Sequence, residues 1–407
     1  MRILMLTPRT PYPADHGTAL RNLYLLKWLS RRHDVSLIAY GNPADATVTR
    51  VLQEYAREVQ VVPHPQRSLI QRLGALGTSR EPDLINRLWS PLLIDRLRET
   101  LVKSSFDLVQ IEGLEMFGLW AGACAGRRGV GPLVVLDEHN AEYSLQTTAW
   151  QVSLRAHAWI PALYSYIQAR RLRRFEQEAC RAVHGVIMVS KDDETSLRAL
   201  YPPLRTCVVP NGVDTAHYFA GSRQSDGATL LFIGKLDYRP NVDAINWFCS
   251  EIWPSVRAQI PRCRLLVVGR DLQPKHQRLA QVPGVEIVGA VPDERPWFDR
   301  SDLLIVPMRM GSGVRLKVLQ AMAMGVPVVS TSLGISGINA SDGVHYLLAD
   351  SARQFADRIV QALENPGLRQ EIGAAARQLA CERYDWQVIV PRLDHFYSEL
   401  TGASGSR

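Results

Sequence analysis

Residues 311 to 317, Gly-Ser-Gly-Val-Arg-Leu-Lys, set two glycines, a hydroxyl and two cations between the apolar run 303–308 and a helix-forming run ending in Gly325. Gly311 and Gly313 let the backbone approach a ligand closely. Ser312 can cap a helix or donate to an oxygen. Arg315 and Lys317 put positive charge at the start of a helix predicted from Val314 or Arg315, where the macrodipole favours Asp or Glu instead. A bound anion offsets that cost, and the backbone N–H groups of a strand, bend and helix can face it. The chemistry is that of holding a phosphate or diphosphate. Taken alone, the stretch also fits a solvated helix start with two surface cations.

A second set of reactive side chains closes two strand-like segments. Glu112 ends FDLVQIEG at 106–113, and Asp137, Glu138, His139, Asn140 and Glu142 end PLVVLDEHNAE at 132–142. The carboxyl ends of parallel strands line the ligand crevice of an open α/β sheet, so all six are candidates. His139 is the one that exchanges a proton near neutral pH. It reads equally as a loop histidine bonded to Asp137 or Glu142. Gly17, which closes a proline-rich loop before a helix, sits where a βαβ unit would seat a phosphate, or in a plain turn.

The elements that position these residues follow from hydrophobic pattern. Strands are expected at 2–7, 35–41, 59–64, 106–113, 132–142, 183–190, 230–236, 265–271, 285–291 and 303–308, and again from Pro327, with amphipathic helices between many of them. The first helix is expected to put Leu20, Leu23, Leu26 and Leu29 on one side. At 407 residues the chain exceeds a usual single core. Pro210-Asn211-Gly212 supplies turn chemistry for a hinge. The predicted organisation is an α/β protein with an N-terminal domain over 1–205, a C-terminal domain over 206–380, and a terminal helix at 381–400.

The string LQAMAMGVPVVST at 319–331 resembles the nucleotide-sugar-binding segment of the family-4 retaining glycosyltransferases. The resemblance extends to the N-terminal strand, glycine and helix, to VVPNGVD at 208–214, to LLFIGKLDYRPNVDA at 230–244 and to LLVVGRD at 265–271. It implies the GT-B architecture, two Rossmann-like domains facing across a cleft, with the terminal helix returning to the first. The implied activity is retaining transfer of a sugar from a nucleoside diphosphate sugar to an acceptor hydroxyl. Arg315, Lys317, Lys235 and the amides of 311–313 would then hold the diphosphate, Gly234 and Lys235 standing at the family's Gly-Arg pair. The family's second cation falls at Pro240 or Asn241, so Arg239 or Lys317 would replace it. Gly289 corresponds to the base-binding strand, Gln320 to the acceptor of the ribose hydroxyls, His139 to a histidine beside the donor sugar, and Gly17 to a wall of the cleft. The chain departs from the family at two motif glutamates, whose positions hold Ser312 and Gln320. That departure keeps open a non-catalytic sugar-nucleotide binder, beside a nucleotide-sugar epimerase of the same architecture.

Charge and composition narrow the partners. A net charge of +7 favours anionic ones, nucleotide sugars and anionic lipid surfaces ahead of nucleic acid, for which no motif is present. The six cysteines show no metal-ligand spacing, and no Asp-x-Asp pair stands ready to hold a metal on a diphosphate, so neither metal nor cofactor is expected. The first residues are too short and polar for a signal peptide, and no apolar run approaches ~20 residues. The expected location is the cytoplasm, or the inner face of the membrane, where a lipid-linked saccharide of an envelope polysaccharide would be the acceptor. Residues 153–182, expected as helix interrupted at Pro161, carry Trp and Tyr ahead of Arg170, Arg171, Arg173 and Arg174. Such a segment can lie on an anionic bilayer, or simply have a solvated basic side and an aromatic core side.

Overall fold

In a computed structural model the chain forms two α/β units, Met1–Pro210 with Ile389–Arg407, and Asn211–Val388. The structure describes residues 1–14, 17–66, 79–125, 131–155, 157–219, 221, 224–271, 274–311 and 313–404, with the backbone alone at 274–277, 403 and 404.

The first unit is built on seven parallel strands, β1 Arg2–Thr7, β2 Asp34–Tyr40, β3 Glu58–Val62, β4 Leu108–Glu112, β5 Leu133–Glu138, β6 Gly185–Met188 and β7 Thr206–Val208. Their order is β3-β2-β1-β4-β5-β6-β7. The second contains β8 Thr229–Ile233, β9 Arg264–Val268, β10 Val285–Gly289, β11 Leu303–Val306, β12 Val328–Ser330 and β13 Leu347–Leu348, in the order β10-β9-β8-β11-β12-β13. The central strands read RILMLT, TLLFI and LLIV and are buried almost throughout, because a parallel sheet carries helices on both faces. In each sheet the strand order turns back on itself, between β1 and β4 and between β8 and β11. The carboxyl ends of those strands form the switch points at which such sheets bind ligands.

Several boundaries differ from expectation for local reasons. The short β7 pairs with β6, so the first unit runs to Pro210 rather than 205. The two-residue β13 is too short to show a period. In helix Gly17–Leu29 the buried side holds Ala19, Arg21, Asn22, Leu25, Leu26 and Leu29, while Leu20 and Leu23 are half-buried. Helix Trp159–Ala182 runs through Pro161, because a proline in the first turn forfeits an N–H that has no intrahelical partner. The break falls earlier, after helix Glu142–Arg155. Helix Trp386–Ser404 follows Asp385, which accepts from the Thr215 backbone N–H at 3.1 Å. From Ile389 onward it belongs to the first unit, where Asp394 pairs with Arg32 at 2.8 Å and with His33 at 3.0 Å.

Candidate functional site

In the second unit the loops after β8 and β11 carry most of the residues singled out above. Helix Leu316–Ala323 starts later than expected, because Gly311 and Gly313, at φ +108° and +77°, hold the preceding loop out of helical geometry. Arg315 takes the N-cap position without capping through its side chain. Ser312 lies outside the described residues. A Cβ on Gly311 would stand 2.8 Å from Arg315 Nη2 and 3.5 Å from Pro240, so glycine is what lets the guanidinium fold back over the loop.

Lys317 is half-buried, its ammonium 4.9 Å from the centre of the Phe232 ring. Nζ donates to the carbonyl of Ile233, the last residue of β8, and to Asn241 Oδ1 at 3.3 Å. Asn241 in turn donates to the Lys235 carbonyl at 3.0 Å. Burial, and then the neighbouring Arg315 charge, push the Lys317 ammonium down to about 7, against the opposing pull of Glu294. Burial also lowers Arg315 and raises Glu294. Two desolvated cations near one helix start favour an anionic ligand, since a negative charge raises Lys317 back toward its ordinary value.

The other residues of this group sit around that pair. Gly234 and Gly269 follow directly on β8 and β9 and Gly289 ends β10, the Gly269 N–H donating to the Gly289 carbonyl at 2.8 Å. A Cβ on Gly269 would lie 1.9 Å from the Gly234 carbonyl oxygen, so the two strand ends approach closely only because it is glycine. Lys235 is exposed and turned toward Asp237 and Asp271, at 3.1 and 3.4 Å. Arg239 is exposed at the start of helix Arg239–Trp247. The buried Gln320 donates from Nε2 to the Tyr218 hydroxyl at 2.8 Å, a contact not foreseen for it.

In the first unit the structure gathers Glu112, Asp137 and His139 of the six candidates. His139 Nε2 lies 3.2 Å from Glu112 Oε2. With Glu112 ionised, Nε2 carries the proton and Nδ1 is left as the nitrogen able to exchange one. Glu112 also accepts from Gln110 Nε2, whose own Oε1 accepts from the Tyr397 hydroxyl. With its amide nitrogen turned inward, Asn22 donates to Glu112 Oε2 at 2.8 Å. Arg21 grips Asp137 through Nε and Nη2 at 2.8 to 3.1 Å and donates to the Val209 and Pro210 carbonyls. Burial alone would lower His139, but Glu112 and Asp137 outweigh it and raise its pKa. Burial and Asp137 raise Glu112.

Ligand-type atoms of Glu112, Asp137 and His139 lie within 4.8 Å of one another. The Arg21 guanidinium already binds both Asp137 oxygens there and serves as the cation of the cluster. Glu138 points elsewhere, toward the buried Glu176 and the half-buried Glu142 and Asp193. Gly17 is exposed at the first position of its helix.

Two parallel sheets of this strand order, each with polar residues at its switch point, are shared by many nucleotide-binding proteins. Comparison with known proteins decides among them. Residues 16–217 match the family described as Glycosyltransferase Family 4, and residues 227–365 match Glycosyl transferases group 1. The chain belongs to these glycosyltransferases. An uncharacterized 44.6 kDa protein in the cps region of Klebsiella pneumoniae is 23% identical over 399 residues, covering 94% of this chain and 96% of that one. A phosphatidyl-myo-inositol mannosyltransferase of Mycobacterium leprae is 27% identical over 423 residues, covering 100% and 99%. Among solved structures, Anabaena Alr3699/HepE in complex with UDP-glucose superposes with a TM-score of 0.67 at 18% identity, covering 100% of each chain. The fold of this glycosyltransferase is GT-B.

Sequence reasoning missed Arg21, Asn22, Gln110, Tyr397, Asn241, Glu294 and Tyr218. One signal was available for the first: Arg21 stands one helical turn before Leu25 and two before Leu29 on the buried side, and a charge on an apolar stripe implies a buried partner. The others are polar residues whose partners are supplied by distant parts of the chain.

Proposed function

We propose that this glycosyltransferase moves a sugar from a nucleoside diphosphate sugar to an acceptor hydroxyl with retention of configuration, as a hexosyltransferase of envelope or exopolysaccharide synthesis. The observation that carries the reading is the pairing of Arg315 and Lys317 behind a glycine loop at the switch point of the second sheet. As the bond from the anomeric carbon to the diphosphate oxygen breaks, charge grows on the leaving group, and cations with oriented N–H groups stabilise it. Lys317, held against Asn241, takes the place of the cation that the family resemblance puts at 240 or 241. Gln320 and Gly289 contact the nucleoside, and Gly234, Lys235, Arg239, Gly311, Ser312 and Gly313 complete the donor side. The first unit serves the acceptor, with Gly17 in its substrate-facing loop. His139, oriented by Glu112, hydrogen-bonds the donor sugar or exchanges the acceptor proton through Nδ1. The relative from a cps region and the relative that mannosylates a phosphatidylinositol support a saccharide or lipid-linked acceptor. The fold-mate solved with UDP-glucose supports the donor class.

A second reading, a sugar-nucleotide binder without transfer, is favoured by Ser312 and Gln320 standing where the family carries glutamates. A thermal-shift screen against a panel of nucleotide sugars tests the donor assignment. A ligand at about 100 times its Kd should add roughly 2.7 kcal/mol of stability. Stabilisation by none of the nucleoside diphosphate sugars would reject the proposal. Stabilisation with no release of nucleoside diphosphate to any lipid-linked or saccharide acceptor would favour the binder.

A further inference from the structure

Helix Glu142–Arg155 contains no buried residue, and it packs as a hairpin with helix Trp159–Ala182, Trp150 of the first lying 5.2 Å from the Tyr166 ring of the second. A helix gains most of its stability by burying an apolar face, so a hairpin that leaves large apolar side chains in water is built for a further surface. Around its tip Trp159 is 67%, Ile160 85%, Leu163 61% and Val152 58% exposed. From residue 159 to 169 there is no charged residue. Arg170, Arg173 and Arg174 then follow, all exposed. Positions 159, 163, 170 and 174 share one stripe of the helix, so the apolar half and the basic half face the same way.

We propose that this hairpin docks the protein on an anionic lipid bilayer. Trp159, Ile160 and Leu163 enter the boundary between headgroups and acyl chains, and Arg170 and Arg174 meet the negatively charged headgroups. Charge complementarity selects this occupant: arginines continuing an apolar stripe suit a surface that is apolar within and negative at its rim. A tryptophan at the tip suits the same boundary. Arg170 donates to the Tyr166 hydroxyl at 2.9 Å and lies 5.7 Å from its ring centre, which keeps the guanidinium beside an aromatic of the same helix. Among the described residues no helix is long and apolar enough to cross a membrane, so the contact is peripheral. The docking is independent of the transferase reading, since it uses none of the residues assigned to donor or acceptor.

Co-sedimentation of the purified full chain with vesicles tests it, using neutral phosphatidylcholine and phosphatidylcholine mixed with phosphatidylglycerol. The protein should partition onto the anionic vesicles at least tenfold more strongly, and lose that preference as salt is raised. Ile160→Asp with Leu163→Asp, and separately Arg170→Glu with Arg174→Glu, should each lower partitioning about tenfold or more. All four positions are exposed, and circular dichroism would confirm that the variants fold. Trp159 fluorescence, taken as the difference between wild type and Trp159→Phe, should shift to the blue with anionic vesicles. Three results would overturn the proposal. They are equal partitioning onto neutral and anionic vesicles, full partitioning of both double variants, and a concentration-dependent dimer, with no vesicle binding, that the Asp variant abolishes. The last would make a second copy of the chain the occupant.

Discussion

Lys317 should take up a proton when a nucleoside diphosphate binds. Its pKa of about 7 in the free protein follows from burial and the neighbouring Arg315 charge. A diphosphate beside Nζ would return it toward the ordinary lysine value. At pH 8 a group of pKa about 7 is charged in about one molecule in eleven, so binding should draw in ~0.9 proton. The ligand is then fully ionised, its last phosphate pKa being about 6. Isothermal titration calorimetry of UDP or GDP in buffers of different ionisation enthalpy reads the proton count as a slope. Because only the charged form binds well, affinity should fall roughly 50-fold from pH 7 to pH 9, about 2.3 kcal/mol. The sign is opposite for folding without ligand: the unfolded chain holds this proton up to the ordinary lysine range, so stability should rise with pH above about 7. Lys317→Gln should bind more weakly and lose the slope, which separates this lysine from Glu294. Intact binding by the wild-type protein with a slope near zero at pH 8 would show that Nζ does not meet the phosphates.

Three further outcomes follow, two from the switch points and one from the acidic group around Glu176. Glu112→Gln removes the carboxylate from His139 Nε2, so the imidazole pKa should fall in an NMR titration. Turnover should drop at least tenfold, as in His139→Ala, with nucleotide affinity unchanged; an unmoved titration would refute the coupling. Gln320→Glu should leave donor affinity equal or tighter in calorimetry, because the Tyr218 hydroxyl can reverse its bond and donate to a carboxylate; a large loss would show that the amide itself donates to the nucleotide. Burial raises Glu176 and its neighbours Glu138 and Glu142, the last to about 7. The folded state therefore holds protons the unfolded chain has released, and the melting temperature should fall as pH rises from about 5 through 7. Glu176→Gln should flatten that decline, and a decline as steep as in wild type would reject the assignment.

What was legible in the chain was whatever violates or obeys a local rule. The buried strands of both sheets could be read because a parallel sheet covered on both faces demands unbroken runs such as RILMLT and TLLFI. The glycine loop could be singled out because cations at a helix start contradict the macrodipole and so ask for an anion, a reading the proposed function carries forward. The Arg21–Asp137 pair was not, because its members lie 116 residues apart and meet only when β5 and the first helix are placed by the sheet. The same limit applied to the order Tyr397, Gln110, Glu112, His139, a chain of contacts drawn from the terminal helix, two strand residues and a loop.

On the proposed reading, position 241 is where a charge would be kept although the motif residue is lost. The family resemblance asks for a cation at 240 or 241, where this chain has Pro240 and Asn241. By sequence the charge is missing, and Arg239, one residue away, is the nearest replacement. In space Lys317, from the other loop of the same switch point, sets its ammonium against Asn241 Oδ1 and the Ile233 carbonyl, while Arg239 is exposed. An electrostatic requirement is met by charge at a place, not at a position in the chain. On that reading a lysine arriving from a second helix start would satisfy it as long as the glycines that let the two loops approach are kept. That condition would make Gly234 matter to where the charge sits. A Cβ there would stand 2.7 Å from Asn241 Nδ2 and push away the amide on which the ammonium rests.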